Sequence, residues 1–178
     1  MALSIGQATQ PLRTNRGFTL VEAMVVVAIT LIMVGLGYSG FSSQLKKEQA
    51  TAAATQLMGH LKEAKMLAME KHESYAVSLA GNVYTIFRDG NNTANPPISP
   101  NCTRELNEPV VHQVDVAQDF GGVAMGSNTR FRFDTRGMPK NTSGAFAAVT
   151  VTLTKAGKRR CNVRMSNMGR IAVDCQDL

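Results

Sequence analysis

An uninterrupted apolar run near the N-terminus constrains this chain more than any other feature. Residues 18–41 read FTLVEAMVVVAITLIMVGLGYSGF, and Glu22 is the only charged residue among them. A helix of that length would extend about 36 Å, which exceeds the roughly 30 Å thickness of the hydrocarbon core of a bilayer. The run therefore predicts a transmembrane helix segment over residues 18–41.

Charges on either side of the run predict its orientation. Arg13 and Arg16 precede it, and the next basic residue is Lys46. Because basic flanks stay on the cytoplasmic side, we expect the N-terminus in the cytoplasm and the rest of the chain outside the inner membrane. A signal peptide cut within residues 40–43 and a plain membrane anchor are the alternatives. Neither has a use for a carboxylate at membrane depth.

The residues at the start of the run form a processing motif. RGFTLVE at residues 16–22 resembles the processing site of type IV pilins and type II secretion pseudopilins. The resemblance implies that residues 1–17 are a leader peptide, that a prepilin peptidase cuts between Gly17 and Phe18, and that the new N-terminus is methylated. It also implies that Glu22 pairs with the Phe18 amine of a neighbouring subunit during assembly, since a buried carboxylate needs a cationic partner.

A second helical stretch, amphipathic and predicted over residues 42–74, follows the apolar run. Apolar residues recur there about every 3.6 residues, which is typical of a buried stripe on a helix. No proline occurs between Phe18 and Glu73, so both stretches can form one helix of about 55 residues that packs on a sheet of the same chain. The stripe consists of Ala50, Ala53, Ala54, Leu57, Leu61, Ala64 and Ala68.

Residues 75–178 predict a globular, β-rich domain. Gly81-Asn82 suits a two-residue hairpin turn, and residues 89–109 are rich in Asn, Pro, Thr and Gly, which indicates a long loop. Phe131 and Phe133 alternate with charged residues, as in a half-buried strand. Further strands are predicted at 75–79, 83–88, 110–117 and 147–154. One long helix followed by an antiparallel sheet is an α+β fold class.

The C-terminal segment predicts a last hairpin, formed by residues 159–165 and 170–175. Residues 167–169, Asn-Met-Gly, would close it, because a three-residue loop takes its last residue in the left-handed region. In that register Cys161 faces Cys175 on the core side of the hairpin. Directly opposed residues lie about 4.5 to 5.5 Å apart, which a disulfide can bridge. We therefore predict a disulfide between these two cysteines.

The same part of the chain concentrates positive charge. Residues 121–178 contain ten Lys and Arg against three Asp, a net charge of +7 in a chain whose total is +6. On the outer side of the hairpin we expect Lys158, Arg160 and Arg164, with Arg170 at its tip. These four residues are candidate contacts to DNA, because phosphates attract Lys and Arg whatever the base sequence. A solvated face without a ligand is the alternative.

A narrower resemblance covers the first and last thirds of the chain. FRFDTRG at residues 131–137 and RCNVRMS at residues 160–166, followed by Gly169-Arg170, are similar to the C-terminal half of the FimT/GspH group of minor pilins and pseudopilins. The resemblance implies the pilin fold. Some FimT-like members bind DNA during natural transformation through a basic segment containing Gly-Arg-x-Arg. Residues 171–172, Ile-Ala, lack the second Arg, so other cations of the hairpin would supply the charge.

Motifs of enzymes and of metal sites do not occur in the sequence. There is no phosphate-binding loop and no His-Glu-x-x-His, and His60, His72 and His112 stand singly. None of the three cysteines lies in a Cys-x-x-Cys pair, and Cys102 has no predicted partner. We expect no enzymatic activity, no cofactor and no metal.

The favoured function is a minor type IV pilin that is incorporated into a pilus filament or primes it, and that binds DNA for uptake in natural transformation. The alternative is a minor pseudopilin of a type II secretion system without DNA binding. Predicted partners are a prepilin peptidase, other pilin or pseudopilin subunits, the inner membrane and double-stranded DNA. The mature chain would leave the inner membrane for a periplasmic or extracellular filament.

Overall fold

The computed structural model of the protein describes residues 18–90, 102–104 and 108–178, with backbone alone for residues 36–39. Within these ranges the helices are α1 (Leu20–Lys71) and α2 (Val116–Asp119). The strands are β1 (Ser74–Ala80), β2 (Val83–Asp89), β3 (Val110–Asp115), β4 (Ala124–Met125), β5 (Arg130–Phe133), β6 (Pro139–Lys140), β7 (Val149–Lys155), β8 (Arg159–Met165) and β9 (Ile171–Asp177). The α+β fold class is confirmed. The predicted leader and most of the predicted loop 89–109 lie outside the described residues.

The part of α1 up to Gly40 forms a unit of its own. Thr19 precedes the helix, and its side-chain Oγ1 accepts a hydrogen bond of 3.2 Å from the backbone N–H of Glu22. This contact caps the helix in the usual way, by satisfying an N–H group that has no partner in the first turn. Every residue from 18 to 35 is exposed. By length and composition, α1 is able to cross a membrane.

The second unit comprises Phe41–Leu178, and the rest of α1 is its central element. The apolar stripe predicted on this part of the helix is confirmed, because all seven residues are buried with at most 2% of their surface exposed. Five of the seven are alanines, which lets the strands approach the helix axis closely. His72 follows the helix with a φ of 55°, a left-handed conformation that ends helices.

Two antiparallel sheets pack on the helix, where the sequence predicts one. The first sheet has the order β3-β2-β1-β5-β6 and the second the order β4-β7-β8-β9. Both contribute to a single core: Val77 and Phe131 come from the first sheet, Leu153 and Val163 from the second, and they join Leu57 of the helix. Because the buried stripe is long, side chains from two sheets are needed to cover it.

The chain passes between the sheets through α2, an element that the sequence does not predict. Strand β3 was expected to continue to residue 117, but it ends at Asp115. The Asp115 Oδ1 accepts hydrogen bonds of 3.0 Å and 3.2 Å from the N–H groups of Ala117 and Gln118. An Asp in this position offers the backbone an N-cap in place of further strand pairing, which explains the short helix.

Both predicted hairpins have the predicted register. In β1–β2, Gly81-Asn82 forms the turn, and Gly81 has a φ of 59°. In β8–β9, seven residue pairs run from Met165–Ile171 to Arg159–Asp177, so the sequence-based alignment of this hairpin is confirmed. Gly169 has a φ of 73°, the left-handed conformation that its place in the loop requires.

Candidate assembly motif and nucleic-acid face

The predicted assembly residues lie at the start of α1. The Phe18 ring is 72% exposed, and Glu22 is exposed one turn further along. Gly17, the other half of the predicted cleavage site, lies outside the described residues. Among the residues that the structure describes, Glu22 has no ion pair. A carboxylate on an apolar helix surface favours a cationic partner from another chain, because an unpaired charge in lipid is costly.

The predicted basic residues lie around the β8–β9 hairpin. In the observed register Arg160 pairs with Gln176, Asn162 with Asp174, and Arg164 with Ala172. Even-numbered residues of both strands point away from the core, since Cys161, Val163 and Met165 between them are buried. Strand β7 adds three threonines on the same side. We call this surface the outer face: Thr150, Thr152, Thr154, Arg160, Asn162, Arg164, Ala172, Asp174 and Gln176.

The outer face carries two exposed arginines and one exposed aspartate. Arg160 forms no ion pair with any described residue. The Arg164 Nη2 lies 3.8 Å from the Asp174 Oδ2, with side chains 61% and 50% exposed. Because such exposed pairs are screened by solvent, the Arg164 guanidinium remains open to a stronger anion. Thr152 donates from Oγ1 to the Asn162 Oδ1 at 2.9 Å, which fixes the centre of the face.

Two of the predicted DNA contacts, Lys158 and Arg170, lie at opposite ends of the hairpin. Lys158 lies in the turn between β7 and β8, where its N–H donates to the Lys155 carbonyl at 3.0 Å. Arg170 is exposed at the opposite end of the hairpin. Strand β8 has seven residues, so these ends are about 20 Å apart. The four candidates thus do not form one cluster: Arg160 and Arg164 share the outer face, and each hairpin end has one cation.

The disulfide lies beneath the outer face. Cys161 and Cys175 are bonded, with Cα atoms 4.0 Å apart. The Leu178 N–H donates to the Lys158 carbonyl, so residues 158 and 178 form a hydrogen-bonded pair of the ladder. Hydrogen-bonded and non-hydrogen-bonded pairs alternate along antiparallel strands, which makes Cys161–Cys175 a non-hydrogen-bonded pair. Opposed residues approach most closely at such positions. The bond ties the edge strand β9 to the buried strand β8.

Cys102 lies apart from this bond, buried as a free thiol with Ala76 and Phe87. Its backbone N–H donates to the Asp89 Oδ2 at 3.0 Å. Burial, followed by the nearby Asp89 carboxylate, raises the pKa of the Cys102 thiol. A thiol of this kind stays protonated and unreactive in the folded protein.

Two histidines that looked isolated in the sequence contact each other. The rings of His60 and His112 stack with centroids 3.8 Å apart. The His60 Nδ1 shares a hydrogen bond of 2.9 Å with the Tyr84 hydroxyl, and the His112 Nε2 lies 2.8 Å from the Glu63 Oε2. No sequence signal predicts this cluster, because its members come from α1, β2 and β3 and meet only in the folded chain.

The comparison with family models concerns the N-terminal helix. Residues 12–38 match the model of the prokaryotic N-terminal methylation motif. This motif is that of type IV pilins, so the N-terminal segment of the chain is type IV pilin-like. The matched segment contains Gly17, Phe18 and Glu22, the residues that the sequence predicts to act in processing and assembly. The apolar helix that contains this segment is long enough to cross a membrane, which fits a membrane-anchored pilin.

Two crystal structures of the type IV minor pilin FimU of Pseudomonas aeruginosa (strain PAO1), in space groups P21 and P65, resemble this chain. The first has a TM-score of 0.49 and 13% sequence identity, and covers 71% of this chain and 89% of its own. The second has a TM-score of 0.47 and 14% identity, and covers 70% and 91%. No curated protein matches the chain significantly.

Proposed function

We propose that the protein is a minor type IV pilin that joins a pilus filament or primes its assembly. In this proposal a prepilin peptidase removes residues 1–17, and the Phe18 amine is methylated. The mature chain is held in the inner membrane by residues 18–41, with its N-terminus on the cytoplasmic side, until it enters a periplasmic or extracellular filament. The N-terminal methylation motif supports this role, as does Glu22, which lies on an exposed apolar helix and has no ion pair with any residue described by the structure.

We further propose that the outer face binds duplex DNA for uptake. One observation carries this proposal: the register of β7, β8 and β9 places Arg160 and Arg164 on one exposed surface together with three threonines. Arginines supply charge to phosphates, and hydroxyl groups add hydrogen bonds that position a DNA backbone. The face has no aromatic residue, so stacking on single-stranded bases contributes little and duplex DNA binds at least as well.

A second candidate is a minor pseudopilin of a type II secretion system that does not bind DNA. It is favoured by the acidic residues of β9, which form ion pairs with some of the nearby basic residues. Asp174 contacts Arg164, while Asp177 lies 2.8 Å from the Lys47 Nζ and 3.5 Å from the Arg159 Nε. The hydrogen bond from Lys47 is the main cause that lowers the pKa of Asp177, so this carboxylate remains charged in mild acid.

A titration of the full chain in nonionic detergent with a fluorescent duplex decides between the two. Arg160→Gln with Arg164→Gln should weaken binding equally for unrelated sequences and flatten the log–log salt slope by about 2. Arg130→Gln is the control, because Arg130 is an exposed arginine on the other sheet. If the unaltered protein does not bind DNA at low salt, the DNA role is wrong and only a filament role remains.

A further inference from the structure

Three segments of the Phe41–Leu178 unit converge at the tip of the β8–β9 hairpin. The Lys65 Nζ of α1 donates a hydrogen bond of 2.9 Å to the carbonyl oxygen of Gly169. A Cβ atom added to Gly169 would lie 2.8 Å from the carbonyl oxygen of Gly137, which belongs to the turn between β5 and β6. Helix, turn and hairpin tip are therefore in direct contact.

Each of the three segments carries cations within a few residues of this junction. We call the group the basic tip: Lys62 and Lys65 of α1, Arg136 of the β5–β6 turn and Arg170 of the hairpin. Lys62 and Lys65 are three residues apart and hence neighbours on one face of the helix. Lys62, Arg136 and Arg170 are exposed. The basic tip thus presents four positive charges, although its members are far apart in the sequence.

The positive charge of the basic tip has no carboxylate partner in the part of the chain that the structure describes. None of its four residues forms an ion pair among the residues described by the structure. The carboxylate next to it in the chain, Asp134, accepts hydrogen bonds from the N–H groups of Arg136 and Met138 and lies 3.6 Å from the Lys140 Nζ. Its charge is therefore already matched by Lys140.

The outer face is weaker by the same criterion. It carries two arginines and one aspartate, and that aspartate is in contact with Arg164. The affinity for DNA rises with the number of Lys and Arg side chains that contact phosphates, and cations without an ion pair contribute more than paired ones. The strongest attraction for a polyanion is consequently at the basic tip, whose Arg170 lies at the end of the hairpin that carries the outer face.

We infer that duplex DNA is held first at the basic tip, with Lys62 and Arg136 as phosphate contacts, and continues from there onto the outer face. This inference rests on the proposed DNA role and changes where the binding energy lies. Two exposed methionines, Met66 and Met168, are close to these cations in the sequence and add flexible apolar surface.

The test compares two double variants of the full chain in nonionic detergent. Lys62→Gln with Arg136→Gln removes two charges of the basic tip but keeps the Lys65–Gly169 hydrogen bond that holds the junction together. Lys46→Gln with Arg130→Gln is the matched control, since it removes one exposed lysine and one exposed arginine elsewhere. Raising the salt from 50 to 200 mM weakens binding of both variants. The factor by which affinity falls should be about ten times smaller for the tip variant than for the control, because two fewer phosphates are neutralised.

Each outcome distinguishes the inference from the proposed function. If the tip variant binds like the control while Arg160→Gln with Arg164→Gln weakens binding, DNA is held on the outer face alone and the inference is wrong. Absence of binding by the unaltered protein at low salt overturns the DNA role itself. Polyglutamate should displace the labelled duplex less well than unlabelled duplex does at equal charge concentration. Equal displacement by the two competitors would assign the basic tip to an acidic protein instead.

Discussion

His60 of α1 and His112 of β3 stack face to face, with ring centroids 3.8 Å apart and planes 1° from parallel. Two imidazolium rings at this distance repel each other, so the contact favours at least one neutral ring. The pKa of His60 is lowered from its ordinary 6.5, mainly by burial and then by the charge of His112. The Glu63 carboxylate opposes this shift without cancelling it. Tyr84, bonded to His60, has a pKa raised mainly by burial and stays protonated. The stack joins the helix to the first sheet, so its charge state affects stability.

The first prediction concerns pH. Because the folded state lowers the pKa of His60, the stabilisation by the neutral ring is complete above pH 6.5 and is lost as the pH falls below that value. The urea midpoint, followed by circular dichroism in detergent, should fall between pH 7 and pH 5 for the unaltered protein and less for His60→Gln. His72→Asn is the control, since His72 is exposed at the end of α1 and lies outside the stack. An equal pH dependence in the His60 variant would contradict this assignment.

A second prediction tests the junction at the hairpin tip. Gly169→Ala should lower the free energy of unfolding by more than about 1 kcal/mol. An alanine in the left-handed conformation already costs about that much, and the clash adds to it. The clash arises at the Gly137 carbonyl, only 2.8 Å from the added Cβ. Gly157→Ala is a matched control, with a φ of 62° and nothing within 4 Å of its Cβ. Equal losses in denaturant midpoint for the two variants would mean that the close approach is unimportant.

A third prediction concerns the disulfide. In the chain-entropy model, closing a loop of this length stabilises the folded protein by about 3 kcal/mol, so reduction should lower the denaturant midpoint markedly. Peptide mapping without reductant should link Cys161 to Cys175. Buried Cys102 should react with an alkylating reagent only after unfolding. A peptide joining Cys102 to either of the others would show that the hairpin register is wrong.

Local patterns predicted much of this fold. The apolar stripe around Leu57 repeats within one helix, and Gly81 and Gly169 mark turns whose strands follow directly, so each signal is complete within a few residues. The alignment of β8 with β9 then followed from the loop length alone. These elements needed no knowledge of the remaining chain.

Contacts between distant segments could not be predicted in this way. The His60–His112 stack, the second sheet and the approach of Gly137 to Gly169 depend on how helix and sheets close around the core. The same limit applies to the candidate site. Sequence patterns placed Lys158 and Arg170 on the same hairpin, whereas the contact of Lys65 with Gly169, which brings α1 to the hairpin tip, arises only through folding.

A fourth prediction tests the assembly role of Glu22. Glu22→Ala should leave membrane insertion intact, because it removes the one charge from an apolar segment, yet the variant should be lost from purified filaments. Glu48→Ala is the control, since Glu48 is an exposed glutamate of the same helix beyond the apolar run. The two variants are compared by the ratio of filament-bound to membrane-bound protein. Normal incorporation of the Glu22 variant would refute the pairing of Glu22 with a neighbouring Phe18 amine.

Mass spectrometry of the mature N-terminus tests the central claim, that this is a processed pilin subunit, most directly. The protein is purified from membranes of cells that produce a prepilin peptidase, and its N-terminal peptide is sequenced. The account predicts a chain that begins at Phe18 with a methylated amine, as the motif over residues 12–38 implies. A chain that still carries Met1, or one that begins near Gln44 after removal of a signal peptide, would contradict it.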